Sequence, residues 1–413
     1  MPTRAGLPVV VVGAGAAGLM AARFAAVARA PVVLVERTRL GGKKIVVSGG
    51  GRCNVLPSEV RAEQFVTASS PNTLRNLLRS WPLAEQRRYF EDELRLPLAL
   101  EQETGKLFPT SNRSTDVRDR LLATAREAGV SFSFDTRVDD VRPEDDAWIV
   151  ETDGGPLRAS AVVLATGGLS VPNTGSDGIG LKIARRLGHT IHRLYPALTP
   201  LTAEPSPHAD LAGVSLSVRI EAPQQKGAFV TEGGFLFTHR GWSGPAALNV
   251  SHLATLSRLD GGPPQPLLVR WAEHEAEDWE ALLQAPGAGT VASLLRRHLP
   301  ARLADQLLTE AGLPLDHPLA HLRREERARL VRLLTAYPLP WTGDEGYKKA
   351  EVTGGGVALS EVDHKTLESR RHPGLFLCGE MLDAFGPIGG YNFLWAWATG
   401  RLAGLGAAAA QGR

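Results

Sequence analysis

Apolar positions fall at first into short unbroken runs. Residues 8–12 (PVVVV) are β-branched with no polar alternation, the pattern of a strand buried on both faces. Residues 16–28 are Ala-rich and long enough for a helix, and residues 31–35 repeat the Val-rich run. Together they predict a β-α-β unit with a right-handed crossover in a parallel sheet. Residues 112–128 predict a helix with Ser114 as its N-cap, followed by short strands over 131–134, 137–141 and 148–151. A wholly apolar strand over 161–165 then runs into Thr166-Gly167-Gly168.

From residue 196 the texture changes. Strand-like pieces at 215–220, 228–231, 235–238 and 267–271 follow one another with no helix between them, which predicts an antiparallel sheet or small barrel. Helical patterns occupy 291–298, 301–311 and 325–337, and Pro/Gly joints lie at Pro263-Pro264, Pro286-Gly287 and 338–346. The α/β pattern returns with strands near 349–353 and 375–378 and a last helix over 391–405, its tail at 407–410 reading as a frayed end. The expected fold class is therefore α/β: a Rossmann-like domain in two parts, 1–195 and 347–413, interrupted by an insert at 196–346. The insert is β-rich to about residue 280 and helical over about 281–346.

Composition narrows the function classes. With 43% apolar and 22% charged residues, the chain buries a core and is not disordered. A net charge of +2 gives no strongly basic coat for nucleic acid. The two cysteines, Cys53 and Cys378, form no C-x-x-C pair, so a disulfide framework, a dithiol redox centre and a cysteine-built zinc site drop out. The histidines show no metal-ligand spacing, and no metal is expected. No signal peptide or membrane-length apolar run is evident, so a cytoplasmic protein is expected.

Gly13-Ala14-Gly15-Ala16-Ala17-Gly18 fits G-x-G-x-x-G between a strand and a helix. Gly13 makes the tight turn, Gly15 admits a pyrophosphate to the backbone, and Gly18 lets the helix pack closely on the strand. The phosphates then meet the free N–H groups of the helix N-terminus. Glu36 ends the second strand, where a carboxylate accepts from a ribose diol and disfavours a 2′-phosphate. That leaves NAD or FAD. A second glycine-rich stretch, Gly41-Gly42-Lys43-Lys44 and Ser48-Gly49-Gly50-Gly51-Arg52-Cys53-Asn54, suggests a backbone wrapped around a longer cofactor. Near the other end, Gly379-Glu380 and Asp383 follow a buried strand, and Gly389-Gly390-Tyr391-Asn392 opens the last helix. The positive end of that helix would stabilise negative charge on the N1–C2=O edge of a reduced flavin.

These segments resemble the YhiN/BaiN-like bacterial flavoprotein family across nearly the whole chain. The resemblance is carried by the first glycine motif with Glu36, by SGGGRCN within residues 42–54, and by Phe108-Pro109 with Ser111. It continues through Ala165-Thr166-Gly167-Gly168, Thr174-Gly175 with Gly178 and Gly180, Phe237-Thr238-His239 and Ser243-Gly244-Pro245. It ends with Val352-Thr353-Gly354-Gly355-Gly356-Val357, Gly379-Glu380 with Asp383, and Gly389-Gly390-Tyr391-Asn392. It implies a FAD domain of the glutathione-reductase type, an insert made of a β-barrel and a small helical subdomain, and non-covalent FAD. The expected cofactor contacts are Gly13, Gly15, Ala16, Ala17, Gly18, Glu36, Arg37, Gly42, Lys43, Lys44, Gly50, Gly51, Arg52, Cys53 and Asn54. Val138 joins them through its backbone, with Ala165, Thr166, Gly167, Gly379, Glu380, Asp383, Gly389, Gly390, Tyr391 and Asn392. Within the family, activities run from C=C reduction of steroid-like compounds to amine oxidation and uridine reduction in ribosomal RNA.

Three side chains are the candidates for catalysis. Cys53 beside Arg52 would have a lowered thiol pKa and could donate a proton, and His239 could act as a general acid from the insert. Ser170 and Ser243 lack the strand–turn–helix setting of a hydrolase nucleophile. Residues 175–180 have the wrong glycine order for a second nucleotide site and read as a turn lining the pocket. With no separate nicotinamide domain, NAD(P)H would dock transiently as reductant. The Arg-rich segments 296–302 and 323–332 are interleaved with acids, which fits either RNA contact or a solvated helix face. The expectation is an FAD-dependent oxidoreductase acting on a small molecule or RNA base held between FAD and the insert. It would reduce a C=C or oxidise a C–N or C–OH bond, with NAD(P)H or oxygen as redox partner. The alternative is an RNA-binding flavoprotein with structural or sensory FAD.

Overall fold

The computed structural model describes residues 6–285 and 289–411; the joint at Pro286-Gly287 lies outside them. The chain divides into two compact units, one running to Pro196 and resuming at Glu351, the other spanning Ala197–Ala350. In chain order the first unit contains β1 (Val9–Val12), α1 (Ala16–Val27), β2 (Val32–Val35), β3 (Leu56–Pro57), β4 (Leu98–Glu101) and β5 (Lys106–Pro109). There follow β6 (Ser131–Ser133), β7 (Val138–Glu144), β8 (Ala147–Thr152), β9 (Leu157–Ala159) and β10 (Ala161–Leu164). Five strands form its central sheet in the order Leu375–Leu377, β10, β1, β2, β6, with parallel pairing throughout. Burial explains the sequence of β1: Val9, Val10 and Val11 are wholly enclosed, as a central parallel strand covered on both faces requires.

Two three-stranded antiparallel sheets and a two-stranded sheet, Ile191–Ala197 with Val352–Val357, accompany the central one. Of the three-stranded pair, one is the meander β7-β8-β9, and the other has the order β3-β5-β4. The helix Ser114–Glu127 begins one residue earlier than a Ser114 cap would place it: Arg113 is the N-cap, and Ser114 Oγ instead donates to Val46 O at 2.7 Å. The C-terminal helix is longer than expected, running Tyr391–Ala410, and its tail is not frayed. Ala403 and Ala407 are completely buried, because the helix lies backbone to backbone on α1. A Cβ added at Gly400 would sit 2.3 Å from Ala17 O, and one at Gly404 2.2 Å from Ala21 O.

The second unit carries a seven-stranded sheet in the order Tyr337–Pro338, Leu268–Arg270, Ser215–Pro223, Ala228–Thr238, Gly241–Ser243, Leu201–Thr202, Gly343–Asp344. Its neighbours pair antiparallel, and among the described residues its two outermost strands do not pair with each other. The antiparallel sheet expected here is present, and among the described residues no pairing closes it into the barrel that the resemblance implied. A second correction is the helix Pro245–Leu259, which falls between strands in a region that reads as helix-free. Its hidden face mixes Val250 and Ala254 with buried Ser251, His252 and Thr255, and those polar residues erase the apolar period. The helices Ala276–Gln284, Val291–Leu295, Ala301–Glu310 and Arg324–Thr335 follow. Among the described residues no helix is long and apolar enough to cross a membrane.

The close helix crossing makes a direct prediction. Gly400→Ala pushes a carbon against the Ala17 carbonyl and is expected to destabilise the first unit by about 3 kcal/mol. Gly262→Ala, where the added carbon meets nothing within 4 Å, is expected to leave it unchanged. Thermal melting of the two variants beside the parent protein checks this; equal melting temperatures would show that the crossing is looser than drawn.

Candidate functional site

A cavity of about 440 Å³ lies within the first unit, walled by segments far apart in sequence. One wall is the turn from β1 into α1. Gly13 has φ +103°, and a Cβ there would stand 2.7 Å from Ala165 O, so only glycine fits. Gly15 is the N-cap of α1 with ordinary φ, and a Cβ on it would meet no atom within 4 Å. It lines the cavity with Ala16 and Ala17. Gly18 stays out of the cavity, its Cα facing Gly13 O so closely that a Cβ would lie 1.8 Å from it.

At the end of β2, Glu36 accepts from Ala14 N (2.7 Å) and Thr38 N (2.8 Å), one backbone donor on each carboxylate oxygen. A carboxylate has about four acceptor positions, so Glu36 keeps capacity for further donors on the cavity side. Arg37 forms an ion pair with Asp177, and both line the cavity with Gly175 and Ser176. Just past β10, Thr166 lines it too, its Oγ1 buried without a hydrogen-bond partner. Lys44 pairs with Glu380 at 2.6 Å. Glu380 also accepts from Ser170 Oγ (2.7 Å) and Thr353 N (3.0 Å), which makes Ser170 a brace for this carboxylate.

The opposite end is built on β5 and the start of the C-terminal helix. Arg52 stacks on Phe108 with its guanidinium 3.9 Å from the ring centre and pairs with Glu101 at 3.0 Å. Gly390, φ +92°, precedes the helix, and a Cβ on it would collide with Leu56 of β3 at 2.5 Å. Asn392 closes the loop ahead of the helix by bonding both ways to Gly386, at 2.9 and 3.0 Å. Asn54, in the orientation that satisfies its amide, accepts from Gly390 N at 3.1 Å and donates to Leu56 O at 3.2 Å.

Residues 7–406 match the family model described as HI0933-like protein Rossmann domain. The chain belongs to the HI0933-like family. It is 31% identical over 405 residues to a 3-dehydro-bile acid delta(4,6)-reductase of Clostridium scindens, covering 96% of this chain and 98% of that protein. It is 30% identical over 400 residues to a ribosomal RNA dihydrouridine synthase of Escherichia coli, covering 94% of this chain and 95% of the other. Among solved structures, the 3-ketosteroid-delta4-(5alpha)-dehydrogenase of Rhodococcus jostii superposes with a TM-score of 0.52 at 17% identity, over 97% of this chain and 96% of that one. That likeness extends the Rossmann-like fold to a wider group of enzymes. The chain is an FAD-dependent oxidoreductase.

In this HI0933-like chain most of the side chains and backbone positions expected at the cofactor come together on the cavity wall, including Gly42, Lys43, Gly50, Val138, Ala165, Gly167, Gly379 and Gly389. Gly18, Gly51, Cys53, Asp383 and Tyr391 do not join them. Asp383 turns to Thr67 Oγ1, Ala68 N and Ser69 Oγ (2.9, 3.0 and 2.8 Å), and Tyr391 Oη accepts from Gln64 Nε2 at 3.0 Å. The lowered Cys53 pKa is the clearest correction. Cys53 is completely buried in a left-handed turn (φ +59°) that separates it from Arg52, and burial pushes its thiol up to about 12 against a weaker opposing bond with Ser48. His239 stands exposed in the turn between Ala228–Thr238 and Gly241–Ser243 of the second unit.

Of the eight arginines in the Arg-rich segments of the second unit, four are engaged with its own groups. Arg296 pairs with Asp305 (2.8 Å) and Arg327 with Glu280 (2.7 Å), Arg323 pairs with Glu326, and Arg302 donates to Asp210 O at 2.9 Å. Lys106 and Glu351 line the cavity without standing out in the sequence. For Lys106 the available signal is alternation: Lys106 and Phe108 flank the buried Leu107, as on a strand with one face toward a pocket.

Both thiols are buried and pushed upward by burial, so neither is a thiolate near neutral pH. A disulfide reagent at pH 8 is expected to leave both cysteines of the native protein untouched and to titrate both after denaturation. Rapid reaction of one thiol in the native state would restore Cys53 as an activated group.

Proposed function

We propose that FAD lies non-covalently along this cavity and that the protein reduces a C=C bond conjugated to a carbonyl, in a small molecule or an RNA base, with NAD(P)H as the source of electrons. The FAD domain would comprise residues 1–195 and 347–413, interrupted by the insert at 196–346, a division close to that of the two compact units. The observation that carries the reading is the open space in front of Gly15. A glycine held in backbone geometry that any residue could adopt, with nothing facing it but the cavity, is explained by a group that approaches the backbone there.

The other residues fit the same group. Backbone N–H groups at the start of α1 would receive the pyrophosphate, and the spare acceptor positions of Glu36 would take the hydroxyls of a ribose. At the far end, Gly389, Gly390 and Asn392 would place the N-terminus of a 20-residue helix against the electron-accepting ring. When bound, FAD supplies hydride transfer, which the side chains lining this cavity do not provide. The protein's part is to hold it, exclude water and set charge around it. The names of the two curated relatives, a delta(4,6)-reductase and a dihydrouridine synthase, both describe saturation of a C=C bond beside a carbonyl, and this supports the reaction class.

Gly15→Val is the discriminating variant, since the Cβ it adds has no protein atom within 4 Å and points into the space of the cavity, so the fold is expected to accept it. It is expected to purify colourless with an unchanged far-ultraviolet spectrum, whereas the parent protein is yellow and releases FAD on denaturation. A yellow Gly15→Val protein would overturn the placement. Anaerobic mixing of the parent protein with NADH or NADPH is expected to bleach the flavin, and an α,β-unsaturated ketone or a uridine-containing RNA to restore its colour faster than oxygen does. Faster reoxidation by oxygen than by either acceptor would point to an oxidase instead.

A further inference from the structure

Strand pairing puts Lys106 at a particular place. It stands opposite Pro57 of β3 on one side and Glu101 of β4 on the other. Pleating sends Lys106 and Phe108 to one face of β5, and both line the cavity. Its Cε lies 3.9 Å from the position of a Cβ on Gly389, beside the residues that open the C-terminal helix. Lys106 thus shares one end of the cavity with Arg52, Phe108 and the start of that helix.

The neighbouring charges decide what this ammonium can do. Glu101, directly across the strands, accepts from Arg52 at 3.0 Å and from Thr104 at 2.5 Å. Arg37 is engaged with Asp177 and Lys44 with Glu380. Among the described residues Lys106 Nζ makes no hydrogen bond or ion pair. Partial burial lowers its pKa, Glu101 opposes that shift and Arg52 adds to it. A half-buried lysine held beside an arginine, with its one nearby carboxylate already engaged, sits where a ligand would satisfy it.

Given FAD in the cavity, as proposed above, we infer that Lys106 is the anion-binding residue of the substrate end: its ammonium holds the carbonyl oxygen of the conjugated substrate and stabilises the negative charge that this oxygen takes on. With a dihydronicotinamide as the reductant, a hydride would add with its electron pair to the β carbon. The C=C π pair moves to the α carbon and onto the carbonyl oxygen. That pair then forms the α C–H bond when a proton arrives from water, and the carbonyl is restored. The cation is most needed while the oxygen is negative, and a fixed charge aimed there lowers the barrier more than it tightens substrate binding. Lysine suits the position as a compact point charge on a flexible stem, able to follow one oxygen.

The test uses 4-nitrophenolate as the probe, an aromatic oxyanion that cannot be reduced at its C–O bond, with nitrobenzene as its uncharged counterpart. Flavin-loaded parent protein is expected to bind 4-nitrophenolate, and Lys106→Met to lose about tenfold or more of that affinity, with nitrobenzene binding unchanged. Lys106→Arg is expected to recover most of the loss. Equal phenolate affinities in flavin-loaded parent and Lys106→Met, or a parallel fall in nitrobenzene affinity, overturn the inference. Flavin content, read from visible absorbance, separates the two levels: a parent protein without flavin overturns the FAD reading itself. Should Lys106→Met not fold, Lys106→Gln carries the same comparison.

Discussion

The first unit depends on a contact in which there is no room for a side chain. The C-terminal helix Tyr391–Ala410 meets α1 through Gly400 and Gly404, whose Cα atoms face the Ala17 and Ala21 carbonyls. Gly18 does the same between α1 and the Gly13 turn, and a Cβ on Gly379 would fall 2.8 Å from Ala17 Cβ. Backbone-to-backbone packing of this kind has little tolerance, since close-packed interiors answer one added carbon with strain. Its consequence is geometric. The starts of two helices, one near each end of the described chain, are brought to the wall of a single cavity.

This explains why the unit can be interrupted by the residues of a second one without losing its site. β1, β10 and Leu375–Leu377 are neighbours in the sheet although they are far apart in sequence. The pairing is set by buried, β-branched and apolar strands, and the cavity walls are the turns that leave those strands. Ion pairs then join segments that the sheet only brings near: Lys44 to Glu380, and Arg37 to Asp177. Partly exposed pairs such as these contribute at most about 1 kcal/mol each to stability. Their larger effect is to fix where charges stand around the cavity.

How far the sequence discloses all this follows from how local each feature is. The β1-α1-β2 unit and its glycine turn are legible because strand, turn, helix and second strand are consecutive, and each residue type has one mechanical reason to be there. The helix Pro245–Leu259 is not, since Ser251, His252 and Thr255 are buried among apolar neighbours and no periodicity survives. Nor can a closed barrel be told from an open row, because closure depends on whether Tyr337–Pro338 and Gly343–Asp344 meet. Cys53 shows the hazard of adjacency. Next to Arg52 in sequence it looks activated, yet a left-handed backbone sends the guanidinium to Phe108 and the thiol into the core.

Lys106 shows the reverse case, a residue that is unremarkable in sequence and distinctive in its surroundings. A lysine opposite a glutamate on paired strands would ordinarily be read as a cross-strand ion pair. Here the glutamate already serves Arg52 and Thr104, and the competition is decided by reach: the guanidinium arrives stacked on Phe108, with its planar fork already oriented toward the carboxylate. Arginine loses less freedom than lysine on forming such a bond, so it holds the shared partner and the lysine is left to the cavity. The stacking of one cation on an aromatic ring therefore determines the charge that the cavity presents to whatever enters it.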